Sequence, residues 1–392
     1  MTKARRVCMS LVALGLLGAA ACSDDDGGAD ATDDATTDAT TGDGGGAPAT
    51  AIVFNGEGNN LNAFSGEAPF EKQRVITNAE EDPAGLDVNA QICFFPDDSG
   101  WFIAGEDTGQ PEQPAGWGIF ELEGDRIGEL SATQVGKLTP TYQGDADDQP
   151  ENYGCGFLSD GRVLTTDIGG QQSGPGTGQL IVWFPPFDSR DVSYCKLDVT
   201  IPTAGGIYVD DEDRVYVPSA RPPDSGVFRY TGPFPTSADA AGGCGQTDGT
   251  GAPMADAVTK EQFIELGNGL VSPNAIVGSP ASGFYVSSVI NGVINEYDAN
   301  GAYVRTVLQP PAGETIGEQT FSSGTPLGLA VGSDGTIYYA DIGITVTADG
   351  VGPGPVGTVR RITFVDGEPQ PPEIMGGDLA FPDGIGVFEP RR

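Results

Sequence analysis

One short pattern recurs along the chain and constrains its fold more than any other feature. An apolar run is followed by a tight Gly/Ser/Asp turn and then by a second run rich in β-branched and aromatic residues, which is typical of a β-hairpin. The clearest copy is PLGLAVGSDGTIYYAD, Pro326 to Asp341. Other copies begin at Ile92, Gly156, Ile207 and Asn274, and the chain ends on the partial copy PDGIGVF, Pro382 to Phe388. A unit repeated at intervals of some tens of residues indicates a repeat architecture.

Alignment of the copies on their second strand defines one equivalent position in each, near the start of the first strand. These positions are Gln91, Tyr153, Gly205, Asn274, Leu327 and Asp383. They are separated by 62, 52, 69, 53 and 56 residues, and each interval accommodates four short strands with their loops. Four strands form one blade of a β-propeller. The sequence therefore predicts an all-β, six-bladed propeller.

The two ends of the propeller region predict how the ring closes. The last copy supplies only one inner strand, from Asp383 to Phe388, whereas Thr50 to Asn78 supplies outer strands without a hairpin copy. We therefore expect N- and C-terminal strands to share the sixth blade, which leaves the ring without a free edge. A two-sheet sandwich would explain the alternation and the turns, but not six copies of one hairpin.

The N-terminus has the features of an export signal. Lys3, Arg5 and Arg6 precede an apolar run from Val7 to Ala21 that is too short for a good membrane span. The small residues before Cys22 resemble the lipobox of bacterial lipoproteins, although Ala19 replaces the usual Leu or Val. The resemblance implies that residues 1–21 are removed and that Cys22 is lipidated. An ordinary secretory peptide cut after Ala21 is the alternative.

Residues 22–50 are predicted to form a tether. After the cysteine they consist mainly of Asp, Gly, Ala and Thr, so they cannot bury a core and should stay disordered and extended. The propeller then occupies residues 51–392. We expect an exported monomer whose domain lies outside the cytoplasm, anchored by its lipid at the bacterial cell surface or outer membrane.

The net charge excludes some partners. It is −37 for the whole chain, and cleavage after Ala21 would remove three basic residues and no acid, giving −40. Such a surface repels nucleic acid and anionic bilayers, so membrane contact is expected only through the lipid. Cations, a neutral or cationic small molecule, or a protein remain compatible partners.

Four cysteines remain after cleavage and lipidation, which suggests two disulfides in an exported chain. On the blade map, Cys93 and Cys155 lie on inner strands of neighbouring blades. Cys195 lies on an outer strand and Cys244 in the long loop of the next blade. The pairs Cys93–Cys155 and Cys195–Cys244 therefore join neighbours, whereas pairing Cys93 with Cys195 or Cys244 would cross from axis to rim.

The six aligned positions should line the axial channel. Asn274 and Asp383 carry oxygen donors suited to a hard cation such as calcium. Further acids end the second strands: Glu106, Asp107, Asp167 and Asp341. The alternative interpretation is that these acids cap turns and face solvent.

The repeated hairpin resembles the six-bladed superfamily of gluconolactonases, senescence marker protein, strictosidine-synthase-like proteins and NHL-repeat proteins. In the lactonases a Glu, an Asn and an Asp hold a divalent cation, and the Asp also transfers protons. The resemblance places the Asn at Asn274. However, Leu327 occupies the expected Asp position, and the Asp383 that does match lies one blade too far. The expected Glu has no clear match, since Gln91 occupies the aligned place in the first blade.

These departures favour a binding module over an enzyme. A lactonase needs a metal and a nearby carboxylate base, and the chain has no histidine to activate a serine or cysteine nucleophile. We therefore expect a ligand- or protein-binding propeller; the alternative is a gluconolactonase-like hydrolase using a divalent cation, Asn274 and Asp383. Binding is expected at the long loops, 108–116, 143–150, 169–178, 235–253 and 345–355. Trp183 is predicted to pack between blades, and Trp117 either to pack or to stack on a ligand.

Overall fold

The fold is described from a computed structural model. It covers residues 51–390 except 98, 107–115, 140–151, 169–177, 188–191, 223, 248–249, 252–253 and 349, and leaves out the side chains of 246–251. The predicted signal segment, Cys22, the tether and Asp107 lie outside the described residues. Among those residues, no helix is long and apolar enough to cross a bilayer.

Six four-stranded antiparallel sheets form the predicted propeller. From axis to rim, blade 1 contains Val88–Phe94, Trp101–Glu106, Gly116–Glu123 and Ser131–Leu138. Blade 2 contains Asn152–Phe157, Val163–Asp167, Gly178–Trp183 and Tyr194–Ile201. Blade 3 contains Tyr208–Val209, Val215–Ser219, Gly226–Thr231 and Thr259–Ile264. Blade 4 contains Pro273–Gly278, Phe284–Ser288, Val293–Tyr297 and Tyr303–Leu308, and blade 5 contains Pro326–Val331, Ile337–Asp341, Gly357–Ile362 and Glu373–Leu379.

Blade 6 is built from both ends of the chain, as predicted. Its innermost strand is Ile385–Phe388, and Ile52–Glu57, Asn60–Ser65 and Lys72–Ile76 follow outward. The antiparallel register sets Ile52 opposite Phe388 and Asn55 opposite Ile385. The face where innermost strands begin and second strands end is called the upper face, and the opposite one the lower face.

Short elements outside the six sheets lie in the loops between strands. Two-stranded ribbons are formed by Gln246–Thr247 with Thr250–Gly251, by Ile344–Thr347 with Gly350–Pro353, and by Phe364–Val365 with Glu368–Pro369. A single 3-10 turn spans Ala240–Gly242. The second ribbon belongs to the loop after the second strand of blade 5, so it stands on the upper face.

The hydrophobic core is divided among the six interfaces between neighbouring blades. Each interface holds its own buried cluster, because alternate residues of every strand point to opposite faces of its sheet. Trp117 and Trp183 are each 1% exposed and lie in the cluster between blades 1 and 2. The Trp183 indole donates a hydrogen bond to Thr165 Oγ1 at 2.8 Å. Both tryptophans therefore pack between blades, and Trp117 is not available for stacking on a ligand.

Both predicted disulfides are present. Cys93 pairs with Cys155, with a Cα–Cα distance of 6.0 Å, and joins the innermost strands of blades 1 and 2. Cys195 pairs with Cys244, with a Cα–Cα distance of 5.8 Å, and joins the outermost strand of blade 2 to the long loop of blade 3. Each bridge crosses one blade interface, which follows from the placement of the cysteines along the repeat.

Candidate functional site

Four of the six aligned positions lie in a β-bulge. The pairing between innermost and second strand slips at Gln91 in blade 1, Tyr153 in blade 2, Asn274 in blade 4 and Leu327 in blade 5. A bulge leaves a residue out of the ladder and re-aims its side chain. Gly205 and Asp383 immediately precede the short innermost strands of blades 3 and 6. The repeat therefore sets six side-chain positions around the upper end of the axis.

Three of these positions contact one another directly. The Asn274 amide donates from Nδ2 to the Tyr153 hydroxyl and, at 2.9 Å, to the Leu327 carbonyl oxygen. Tyr153 in turn donates to the same carbonyl at 3.4 Å. All three residues are buried, with 3%, 5% and 2% exposure for Asn274, Tyr153 and Leu327. The amide nitrogen of the predicted metal ligand is therefore used to fasten blades 2, 4 and 5 together.

An apolar cluster closes the upper end of the channel above these contacts. Leu327 and Tyr153 pack there with residues that follow the second strands of blades 2, 4 and 5: Ile168, Val289, Ile342 and Ile344. Ile342 and Ile344 are 1% and 0% exposed. Burial of this much aliphatic surface stabilises the closure by roughly 1.5–3 kcal/mol for each fully buried side chain. A leucine at the axial position is thus part of a small separate core, which we call the axial plug.

Asp383 lies at the start of the innermost strand of blade 6 and is 9% exposed. Its Oδ2 accepts a hydrogen bond from the Ala90 N–H at 3.1 Å, and its Oδ1 accepts one from the Gly384 N–H. Burial raises the pKa of the Tyr153 phenol, and the Asp383 charge raises it further against the opposing effect of the Asn274 hydrogen bond. Tyr153 therefore stays protonated and acts as a hydrogen-bond donor.

Gln91 and Gly205 serve the packing of neighbouring blades. Gln91 Oε1 accepts hydrogen bonds from the N–H groups of Cys155 and Ile207, both at 3.1 Å, so one side chain links blades 1, 2 and 3. At Gly205 a Cβ would overlap the Asn274 carbonyl oxygen, so the backbone of blade 3 can approach blade 4 only with glycine. Neither position offers a free functional group to a ligand.

A narrow cavity remains inside the channel. It is lined by residues from all six blades: Gln91, Tyr153, Gly206, Ala275, Gly328, Leu329, Asp383, Gly384 and Ile385. Glycines and aliphatic side chains make up most of this lining, and Asp383 is its one charged member. The structure thus brings Tyr153 and Asp383 to the same space, while Leu327 lies in the plug.

The acids at the ends of the second strands are buried, so the expectation that they face solvent was wrong. Glu106, Asp167 and Asp341 are 3%, 4% and 1% exposed. Asp341 Oδ1 accepts a hydrogen bond from the Thr325 N–H at 2.7 Å, and its Oδ2 pairs with the Arg360 guanidinium at 3.0 Å. Glu106 pairs with Lys137 and accepts from the Gln134 amide. The interpretation as a cap is supported for Asp341, whereas Glu106 binds side chains of the outermost strand of blade 1.

The same capping position exists in blades 4 and 6, where the sequence analysis missed it because the blade 4 residue is a serine and the second strand of blade 6 comes from the N-terminal end of the propeller. In blade 4, Ser288 Oγ accepts hydrogen bonds from the Val271 and Ser272 N–H groups, both at 3.0 Å. In blade 6, Glu57 Oε2 accepts from the Ala380 N–H at 3.0 Å. Spacing would have found Ser288, since it lies three residues after the aligned aromatic of its second strand, as Asp341 does.

The described residues do not fit the calcium site that the resemblance implies. Calcium takes six to eight oxygen ligands. Asn274 directs its amide nitrogen to Tyr153 and Leu327, and both carboxylate oxygens of Asp383 accept backbone N–H groups. Within the described residues, no group of three or more acidic, cysteine or histidine side chains is arranged to hold a metal ion. No catalytic step is therefore derived through a cation.

Comparisons with known proteins support the fold. A luciferin-regenerating enzyme is 11% identical, with the match covering 81% of this chain and 89% of that one at a TM-score of 0.52. Regucalcin, a calcium-binding protein from Agrobacterium tumefaciens str. C58, is 13% identical over 72% and 74%, at a TM-score of 0.42. Virginiamycin B lyase from Staphylococcus aureus is 10% identical over 78% and 74%, at 0.41.

At these identities the likeness shows the fold alone, and the luciferin-regenerating enzyme carries that conclusion. No protein-family model matches the chain. No curated protein matches it either. The six-bladed propeller predicted from the repeated hairpin is therefore confirmed, and function has to be argued from this chain's own residues.

Proposed function

We propose that this protein is an exported, lipid-anchored propeller that binds a small molecule or a partner protein at its upper face. The observation that carries the proposal is the axial plug. Leu327 occupies the position at which the resembling lactonases carry an acid, and it is 2% exposed among aliphatic side chains. The polar groups beside it are committed to contacts between blades. The centre of the ring is built to hold the blades together, which leaves the loops to contact a ligand.

Loop placement supports the upper face as the binding surface. Three of the long segments follow second strands, after Glu106, Asp167 and Asp341, and a fourth follows the outermost strand of blade 1, after Leu138. All four of these strand ends lie on the upper face. Binding residues are commonly carried on loops that a rigid scaffold positions. The fifth long segment, 235–253, follows a third strand and so belongs to the lower face.

The proposed location rests on the cysteines and on the N-terminal sequence. Two disulfides are typical of proteins from oxidising compartments. The lipobox resemblance implies a lipidated Cys22, and stable anchoring takes more than one acyl chain or a second signal. We expect a full-length chain expressed in a bacterium to fractionate with membranes. A Cys22→Ser chain should be released into the soluble fraction, and equal membrane retention of both would contradict the anchor.

The test against hydrolysis uses the full chain with calcium supplied. We expect no calcium-dependent opening of sugar or aryl lactones above the rate of the Asn274→Ala and Asp383→Ala variants. Asp224→Ala is the matched control, because Asp224 is an exposed acid that does not line the axial cavity. Turnover that requires calcium, survives in the control and disappears in both axial variants would overturn the binding proposal in favour of a lactonase.

The axial plug itself can be tested by Leu327→Ala. Truncation of a fully buried leucine should lower the free energy of unfolding by about 2–5 kcal/mol, because a cavity replaces its packing. Denaturant unfolding measures the change. Val304→Ala, at a residue 52% exposed on the outermost strand of blade 4, should cost far less. A Leu327→Ala chain as stable as wild type would show that the position is not part of a core.

A further inference from the structure

Blade 3 departs from the capping arrangement that blades 4, 5 and 6 share. In blades 4, 5 and 6 the residue at the end of the second strand accepts an N–H of the chain that enters the innermost strand. In blade 3 that residue is Ser219, which is 0% exposed, yet its Oγ has no hydrogen-bond partner. Leaving a buried polar group unsatisfied costs about 1–3 kcal/mol. The hydroxyl at this position is therefore poised to bond with something other than the chain itself.

Arg221 follows two residues later and is also unsatisfied. Its Nε is buried and has no hydrogen-bond partner. Each of the other eight arginines that the structure describes forms an ion pair with a carboxylate. Arg221 has none among the described residues, although the chain contains 56 acids. A guanidinium that avoids pairing in so acidic a protein is available to an anion from outside.

The two groups are suited to one ligand group. They lie two residues apart at the upper face, since Ser219 is the last residue of the second strand of blade 3 and Arg221 lies in the bend that follows it. A guanidinium presents Nε–H and Nη–H as a planar fork that matches the two oxygens of a carboxylate. The Ser219 hydroxyl can donate one further hydrogen bond. Asp224, the nearest acid along the chain, is exposed and forms no ion pair with Arg221.

We propose that Ser219 and Arg221 form an anion subsite on the upper face of blade 3 that takes a ligand carboxylate. The inference rests on the proposed binding function, because it names the chemistry of a group recognised at that face. A monoanionic carboxylate is favoured over a dianionic phosphate, since the net charge of −37 repels each added negative charge. Filling the site would satisfy two buried atoms, Ser219 Oγ and Arg221 Nε, that have no hydrogen-bond partner in the part of the chain that the structure describes.

Thermal unfolding of the full chain in propionate tests the subsite, with chloride at matched ionic strength as the reference. At ten times its Kd, propionate should raise the ratio of folded to unfolded protein about 11-fold. Arg221→Gln and Ser219→Ala should lose this saturable stabilisation. Arg214→Gln is the matched control, because Arg214 lies in the same blade but already pairs with Asp210 at 2.6 Å, and it should keep the response.

The same variants separate a ligand role from a structural one. Without propionate, Arg221→Gln should be at least as stable as wild type because it removes a cation that has no ion pair among the described residues and whose Nε is buried without a partner, whereas Arg214→Gln should be less stable because it loses the ion pair with Asp210. Equal stabilisation by propionate of wild type and of all three variants would overturn the subsite. So would an Arg221→Gln chain that is less stable than wild type in the absence of propionate. Stabilisation by inorganic phosphate alone would overturn the assignment to carboxylate. Lactone turnover is measured separately, so the subsite can fail while the binding function stands.

Discussion

Leu327 shows how one side chain changes the chemistry of its neighbours. With an acid at that position, Asn274 and Tyr153 would face a charge beside the channel. Asn274 and Tyr153 bond to the backbone carbonyl of residue 327, which any residue would supply, and the leucine side chain packs with aliphatic side chains from three blades. Asp383 is the one charged residue that lines the cavity. The leucine side chain at position 327 is therefore what makes this part of the centre an aliphatic plug.

Asp210 should make the stability of the fold depend on pH. It lies at the lower face, in the turn that follows the innermost strand of blade 3. Burial raises the pKa of its carboxyl, but hydrogen bonds from the Arg214 N–H and guanidinium and from the Tyr216 hydroxyl outweigh this and lower the pKa below its ordinary value. A carboxyl with a lowered folded-state pKa stabilises the fold above its unfolded pKa. That stability is lost as the pH falls through the folded value.

We expect Asp210→Asn to lower the free energy of unfolding at neutral pH by about 1–2 kcal/mol, the cost of a charged hydrogen bond at a partly exposed site. The difference from wild type should shrink below about pH 4, where the wild-type carboxyl itself takes up a proton. Denaturant unfolding across the pH range measures both. Asp211→Asn, at an exposed neighbour, should differ little from wild type at any pH. A pH-independent gap would mean that the charge contributes nothing.

The sequence predicted which residues lie around the axis, but not which of their atoms point inward or lack a partner. The aligned positions came from repeat spacing, and the structure does set Tyr153, Asn274 and Asp383 around the axis. Spacing cannot say which atom of Asn274 points inward, because that depends on the Tyr153 hydroxyl and the Leu327 carbonyl from other blades. It also cannot show that Ser219 and Arg221 lack partners, since that depends on every neighbour around them.

The innermost strands matter at the scale of elements because their bulges aim the axial side chains. The slip at the same place in blades 1, 2, 4 and 5 shows that it belongs to the repeat. Between bulges, glycines let neighbouring innermost strands approach closely. Gly384 is the tightest case, because a Cβ there would overlap the Ala90 carbonyl oxygen of blade 1. The contact between blades 6 and 1 therefore depends on the absence of a side chain.

We expect Gly384→Ala to lower the free energy of unfolding by about 3 kcal/mol or more, because neither backbone can yield without disturbing the channel. Gly377→Ala is the control, since a Cβ at that site on the outermost strand of blade 5 meets nothing within 4 Å. Thermal and denaturant unfolding compare the two variants. Similar stability in both would show that the innermost strand of blade 6 is free to shift.

Closure of the ring is the main feature of the whole molecule. The C-terminal strand pairs with the first described strand, over Ile52 to Asn55 and Ile385 to Phe388. This pairing was predictable because each end of the sequence lacked what the other supplied. The blade count was predictable from the repeat, whereas the two-stranded ribbons were not, because Gly-rich loops give no periodic signal.

A chain that ends at Pro382 tests this closure. Removing the innermost strand of blade 6 leaves the edge of Ile52–Glu57 unpaired and opens the clusters on both sides of the blade. We expect loss of a single cooperative unfolding transition and aggregation, measured by calorimetry and size-exclusion chromatography. A chain that ends at Pro390 should behave as wild type. Cooperative, monomeric unfolding of the shorter chain would contradict a closure-dependent fold.

The direction of the strand that follows residue 51 orients the molecule. Ile52 lies opposite Phe388, at the lower face, and the strand then climbs toward Glu57 at the upper face. An anchor joined through residues 22–50 would therefore attach beneath the ring. Leu327, Arg221 and four of the five long loop segments belong to the other side. In the proposed anchored form, the lower face would therefore be the one joined to the anchor, and the upper face would be the one left open to a ligand.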